Sequence, residues 1–141
     1  MEKDDYVEKR ELERVISRID RDVDSVVVEG YSDRIVVEKL GFTGKIFLSA
    51  EKTLEGLAED VGRGAERVAV LTDFDNHGKE QAGKISRRLD KEVDVIRSCR
   101  KQFGKKLTST GRKAVEDIAP LFVDREQKFV DAALDDLFFR K

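Results

Sequence analysis

Glu29 and the pair Asp73/Asp75 each follow a short apolar run, Val26-Val27-Val28 in the first case and Val68-Ala69-Val70-Leu71 in the second. Short β-branched and aliphatic runs bounded by Gly, Asp and Asn read as buried strands, so both sets of carboxylates fall where a strand ends. In an open α/β sheet that edge is where ligands bind. Parallel strands would bring the three carboxylates to one crevice, where two charges about 4 Å apart at an effective dielectric near 20 repel by roughly 4 kcal/mol. A hard divalent cation removes that repulsion. Mg²⁺ prefers oxygen ligands in octahedral array and is commonly held by one or two carboxylates together with substrate phosphate. Glu29, Asp73 and Asp75 are therefore candidate ligands for one or two Mg²⁺ ions, and the chemistry such a site supports is phosphoryl transfer at a phosphodiester. Gly30 and Gly78 would let the backbone approach phosphates closely. Asp33 either caps the helix that follows it or supports the metal site from behind.

The elements that must position these residues alternate along the chain. Leu12, Val15, Ile16 and Ile19 recur at helical spacing and predict an amphipathic helix over residues 7–19. Strands are expected at 25–28, 45–48, 67–71 and 93–96. Helices are expected at 33–40, stopped by Gly41, from Ser49 or Ala50 to Gly62, and over 77–90. Strands that alternate with helices of this length argue for βαβ units and a mostly parallel sheet covered by helices. The expectation is a single domain over residues 1–141.

Beyond Ile96 the pattern changes. Residues 97–113 contain seven basic and no acidic residues and read as a basic loop beside the carboxylates. Lys105, Lys106, Arg112 and Lys113 are its candidates for gripping a nucleic-acid backbone; the alternative is a solvated loop that balances acidic helices. An apolar helix at about 125–139, with Phe129, Leu134 and Phe138, would pack on the sheet, on a second copy of the chain or on a protein partner. His77 and Lys79 are placed to touch phosphate or simply to face water, and Tyr31 and Ser32 follow Glu29 closely enough to line its crevice.

Composition narrows the classes. The 28 basic and 30 acidic residues give a net charge of −2, so any basic footprint must be local. The single cysteine, Cys99, cannot form an intramolecular disulfide or a multi-cysteine zinc site, and reads as a small buried thiol. No apolar stretch approaches the roughly 18 residues of a membrane span, and a cytoplasmic protein is expected.

The order strand-Glu29-Gly30-x-x-Asp33, then strand-x-Asp73-x-Asp75-x-x-Gly78, resembles the Toprim domain shared by bacterial-type primases, topoisomerases, certain nucleases, RecR-type recombination mediators and ribonuclease M5. The resemblance covers roughly residues 22–97. It implies an α/β, Toprim-like Rossmannoid fold with a mostly parallel four-stranded sheet, a catalytic or metal-binding role for Glu29, and Mg²⁺ binding by Asp73 and Asp75. Tyr6 and Tyr31 are the only tyrosines, and the length leaves no room for the tyrosine-bearing helical domain of a topoisomerase. One cysteine cannot build the zinc elements of primases or RecR-type proteins. The chain is most similar in length to small stand-alone archaeal Toprim proteins, and Thr72-Asp73-Phe74-Asp75-x-x-Gly78 resembles the Toprim half of ribonuclease M5. Asp73-Phe74-Asp75 also resembles the haloacid-dehalogenase phosphatases, for whose later Ser/Thr and Lys motifs too little chain remains. The expected activity is Mg²⁺-dependent cleavage of DNA or RNA by a nuclease; the alternative is a non-catalytic module that binds nucleic acid or recruits a larger enzyme.

Overall fold

All four residues of strand β1 (Ser25–Val28) are buried, which requires cover on both faces of the sheet. The computed structural model, which describes residues 3–122, shows how that cover is supplied. Helix α1 (Lys3–Asp22) precedes β1. Then follow α2 (Tyr31–Lys39), β2 (Lys45–Leu48), α3 (Leu54–Gly64), β3 (Arg67–Val70), α4 (Asn76–Leu89), β4 (Asp94–Val95), α5 (Arg97–Thr108) and a 3₁₀ helix (Val115–Phe122).

The four strands form one all-parallel sheet in the order β2-β1-β3-β4, so the chain reverses direction across the sheet between β1 and β3. Side chains alternate between its faces. Val26, Val28, Ala69 and Leu71 point into a core built with Leu12, Ile16 and Ile19 of α1, Val36 and Val37 of α2, Phe103 and Leu107 of α5, and Ile118 of the 3₁₀ helix. Val27, Val68 and Val70 point to the other face, under Leu57 and Val61 of α3 and Ala82, Ile85 and Leu89 of α4. Each fully covered Leu or Ile contributes about 1.5–3 kcal/mol of hydrophobic stabilisation.

Several boundaries differ from the sequence pattern. Helix α1 extends beyond its apolar stripe at both ends. Helix α2 begins at Tyr31, because Gly30 serves as the residue before its first turn. Asp33 thus lies inside that turn and reaches back to the Gly30 N–H (3.0 Å) rather than capping from in front. Gly41 takes φ +107°, the left-handed conformation that ends α2. The basic segment is a correction: residues 97–108 form a helix, and only the short stretch before Val115 is a loop. The predicted apolar helix at about 125–139, with its proposed partner surface, lies outside the described residues. Among the described residues no helix is long and apolar enough to cross a membrane.

Candidate metal and phosphate site

Parallel pairing sets Val27 opposite Val70, and the Leu71 N–H donates to the Val27 carbonyl (2.7 Å). The residues just beyond, Glu29 and Asp73, therefore leave the sheet side by side at the switch point, where an open α/β sheet forms its crevice. Hydrogen bonds from Ser49 N–H to the Val28 carbonyl and from Ala50 N–H to the Glu29 carbonyl (2.9 Å each) fix the backbone under Glu29 from the β2 side.

The two carboxyl groups meet. Asp73 is pushed up to about 7, first by its own burial, next by a hydrogen bond shared with Glu29, and then by the charges of Glu29, Asp33 and Asp75. Asp73 thus retains its proton to near neutrality. Both line a cavity of about 300 Å³ together with Thr72, Asp75, His77 and Gly78. Lys52 and Lys84 stand in its wall, and Leu54, Leu57 and Ile85 supply an apolar side. Lys52 also pairs with Asp60.

Asp75 and Asp33 are engaged otherwise. Asp75 caps α4, with Oδ1 accepting from the Gly78 N–H (2.7 Å). Asp33 is buried, and its two oxygens accept from the backbone N–H groups of Gly30 and Glu116 (3.0 and 2.9 Å). Among the described residues no three carboxylate, imidazole or thiol side chains stand close enough to enclose one ion. Glu29 and Asp73 converge, while Asp75 shares the cavity with one oxygen committed to its helix.

Gly78 is required by the loop itself: a Cβ there would lie 2.3 Å from the Asp73 carbonyl oxygen. At Gly30 a Cβ would meet nothing nearer than 3.9 Å, so its service is to the start of α2 rather than to a tight approach. Tyr31 is exposed. Ser32 opens onto a different surface, beside Arg112 and Glu116. His77 lines the cavity, whereas Lys79 faces away from it, between α4 and α5.

The four predicted backbone-gripping residues are dispersed. Lys106 pairs with Glu11, and Arg112 donates through Nε to Glu8 (2.7 Å) and through a terminal nitrogen to the Asp117 carbonyl (2.5 Å). Lys113 is exposed and its carbonyl accepts the Phe74 N–H (2.6 Å). Lys105 alone lines the space between α4 and α5.

Arg100 is the residue that sequence reasoning missed. Its guanidinium donates to the carbonyls of Val70 (3.1 Å), Thr72 (2.7 Å) and Asp73 (2.7 Å) and lies over the Phe74 ring at 4.1 Å. Val70 ends β3, Thr72 and Asp73 belong to the loop that follows, and β4, which pairs only with Arg67 and Val68, reaches none of the three. Burial pushes Arg100 down to about 10, so it stays charged at neutral pH while it braces the loop that carries Asp73.

An all-parallel sheet whose paired carboxylates leave the switch point, backed by an Asp-x-Asp loop, defines a class of protein. This chain belongs to the Toprim domain family, whose profile matches residues 24–97, just over half of its length. Among relatives, a UPF0292 protein of Thermococcus onnurineus is 26% identical over 114 residues, spanning 81% of this chain and 85% of that protein. A UPF0292 protein of Methanocaldococcus jannaschii is 34% identical over 88 residues, 60% of this chain and 67% of that protein. These are archaeal proteins of similar length to this chain. A solved structure of an Aquifex aeolicus protein superposes with a TM-score of 0.60 at 22% identity, covering 77% of this chain and 95% of that one, which supports the fold. Membership in the Toprim family associates the chain with metal binding and nucleic acid.

Proposed function

We propose that the chain is a Mg²⁺-dependent phosphoryl-transfer enzyme that cleaves nucleic-acid phosphodiesters. The observation that carries this reading is the Glu29–Asp73 carboxyl pair at the sheet's switch point, opening on a cavity with lysines in its wall. The donor set suits a hard cation: two carboxylates held against each other, and beside them a Thr72 hydroxyl that is buried without a hydrogen-bond partner among the described residues. Asp73 and Asp75 would hold the ion, with Glu29 as a further ligand or as general acid and base. When bound, Mg²⁺ would neutralise charge on the phosphoryl oxygens and on the leaving oxygen. Glu29 suits proton transfer because it already shares a hydrogen bond with Asp73. Asp33 holds the Glu29-Gly30 turn in place through the Gly30 N–H, and Gly78 lets α4 start against the Asp73 backbone.

The test is calorimetric titration of Mg²⁺ and Mn²⁺ into wild type, Glu29→Gln and Asp73→Asn/Asp75→Asn, alongside cleavage of a mixed panel of DNA and RNA. Metal-dependent cleavage that disappears in both variants is expected. Retained cleavage in the double aspartate variant sinks the mechanism. A non-catalytic module that only binds or recruits is favoured by one observation, the commitment of Asp75 to capping α4. Metal binding without cleavage of any strand would support it.

A further inference from the structure

Helices α4 and α5 flank a groove of about 790 Å³, distinct from the carboxylate cavity. Its walls carry Lys79 and Arg87 from α4 and Arg97, Lys101 and Lys105 from α5, and no acidic side chain. Arg97 is held by Asp90 (2.5 Å). Lys79, Arg87, Lys101 and Lys105 make no ion pair among the described residues. Lys101 and Lys105 stand one helical turn apart, a spacing at which like charges destabilise a helix. The chain as a whole is slightly acidic, with a net charge of −2, so this concentration of cations is not a by-product of a basic composition. Its liability disappears when a polyanion lies in the groove.

The groove also has a direction. One end holds Phe74 and Lys79, the residue between the two aspartates and the residue after Gly78; the other end holds Arg87 and Arg97. A strand lying along it is led to the loop that carries Asp73. Phe74 is only 6% exposed, with Arg100 over its ring, so the groove offers no open aromatic platform on which bases could stack. Contacts there are to phosphates, which position a strand without reading its sequence. A groove of about 790 Å³ between two helices suits a short length of one backbone rather than a duplex.

We propose that the α4–α5 groove is the track for the sugar-phosphate backbone of single-stranded nucleic acid, delivering it to the Glu29–Asp73 site without sequence preference. The proposal rests on the phosphodiester reading of that site, and the experiment separates the two. Binding is measured by fluorescence anisotropy on the full chain in EDTA, where no cleavage occurs, with labelled strands of about twenty nucleotides: poly-dT, a mixed DNA sequence, RNA, and a duplex. Lys101→Glu/Lys105→Glu is compared with wild type and with Arg14→Glu/Arg18→Glu on the exposed face of α1, each checked for fold by circular dichroism. Loss of two phosphate contacts, each worth a slope of roughly 0.7 in log K against log salt, should weaken binding by about 20-fold near 0.1 M salt. The slope should flatten by about 1.4, and the effect should be the same for every single strand. The α1 variant should bind like wild type, and the duplex more weakly than the strands. Equal affinity and slope in wild type and the groove variant overturn the track, as does an equal loss in the α1 variant, preferential binding of the duplex, or failure of wild type to bind any strand. Cleavage of the same strands is scored separately in Mg²⁺. Groove-dependent binding without cleavage keeps the track and removes the nuclease, while cleavage with groove-independent binding does the reverse.

Discussion

Asp73 keeps its proton to about pH 7 because folding takes its carboxyl out of water and sets it against Glu29. The folded chain therefore binds that proton more tightly than the unfolded chain does, and metal-free stability falls as pH rises from about 4 to about 7. Asp73→Asn removes the titration. It should raise the metal-free melting temperature near pH 8 by the equivalent of about 1 kcal/mol, a value discounted because the site is partly open to solvent. The difference should vanish near pH 4, and thermal melts across that range, followed by circular dichroism, check it. A variant less stable than wild type near pH 8 would mean that the pair is not strained in the free protein. At this scale the acidic residues were legible because each signal is local, an apolar run followed at once by a carboxylate. Arg100 left no such signal. Its partners, the carbonyls of Val70, Thr72 and Asp73, lie far back in the chain, and nothing around Arg100 distinguishes it from the other cations of its segment.

Among the elements, β1 matches the sequence expectation because a buried parallel strand is an apolar run with polar punctuation, and β2, a half-buried edge strand that opens on exposed Lys45, matches because Gly44 and Ser49 bound its short apolar run. Helix α5 was hidden. Its apolar stripe is only Cys99, Phe103 and Leu107, one residue per turn amid basic residues, although that spacing of four was the available clue. Gly104, which weakens a helix reading, is needed because a Cβ there would come within 2.7 Å of the Phe74 ring. The segment after α5 is tied to α1 across almost the whole chain by Glu8, which accepts from Arg112 Nε (2.7 Å) and from the Thr110 hydroxyl (2.8 Å). The Arg112 hydrogen bond holds the Glu8 carboxyl below the usual carboxylate range, against the opposing effect of burial. A lowered folded-state value gives stability that is present above the unfolded value and is lost as pH falls through the folded one. Glu8→Gln should cost about 1.5–3 kcal/mol at neutral pH, as expected for hydrogen bonds to a charged group. That cost should shrink in acid, below about pH 4, when measured by urea unfolding. A cost independent of pH would assign the effect to packing rather than to charge.

Across the whole molecule, the family match at residues 24–97 omits α1 and most of α5, yet both help to cover the face of the sheet formed by Val26, Val28, Ala69 and Leu71. A fragment limited to residues 24–97 should therefore fail to fold, and Leu12→Ala or Ile16→Ala in the full chain should each cost about 2–5 kcal/mol. Amide-proton dispersion in NMR spectra tests the fragment, and chemical denaturation tests the point variants. A well-dispersed spectrum from the fragment would show that α1 and the rest of α5 are dispensable additions. The alternation of strands and helices made the parallel sheet legible, whereas the cover outside the family core depends on contacts between distant segments. The short β4 has a consequence between molecules as well. A strand edge that ends early leaves carbonyls free to pair with any extended chain that drifts past, and here a single guanidinium fills that gap. Arg100 thus occupies acceptors that would otherwise stand unmet at the border of the sheet, and Arg100→Ala would leave them bare beside the loop that carries Asp73.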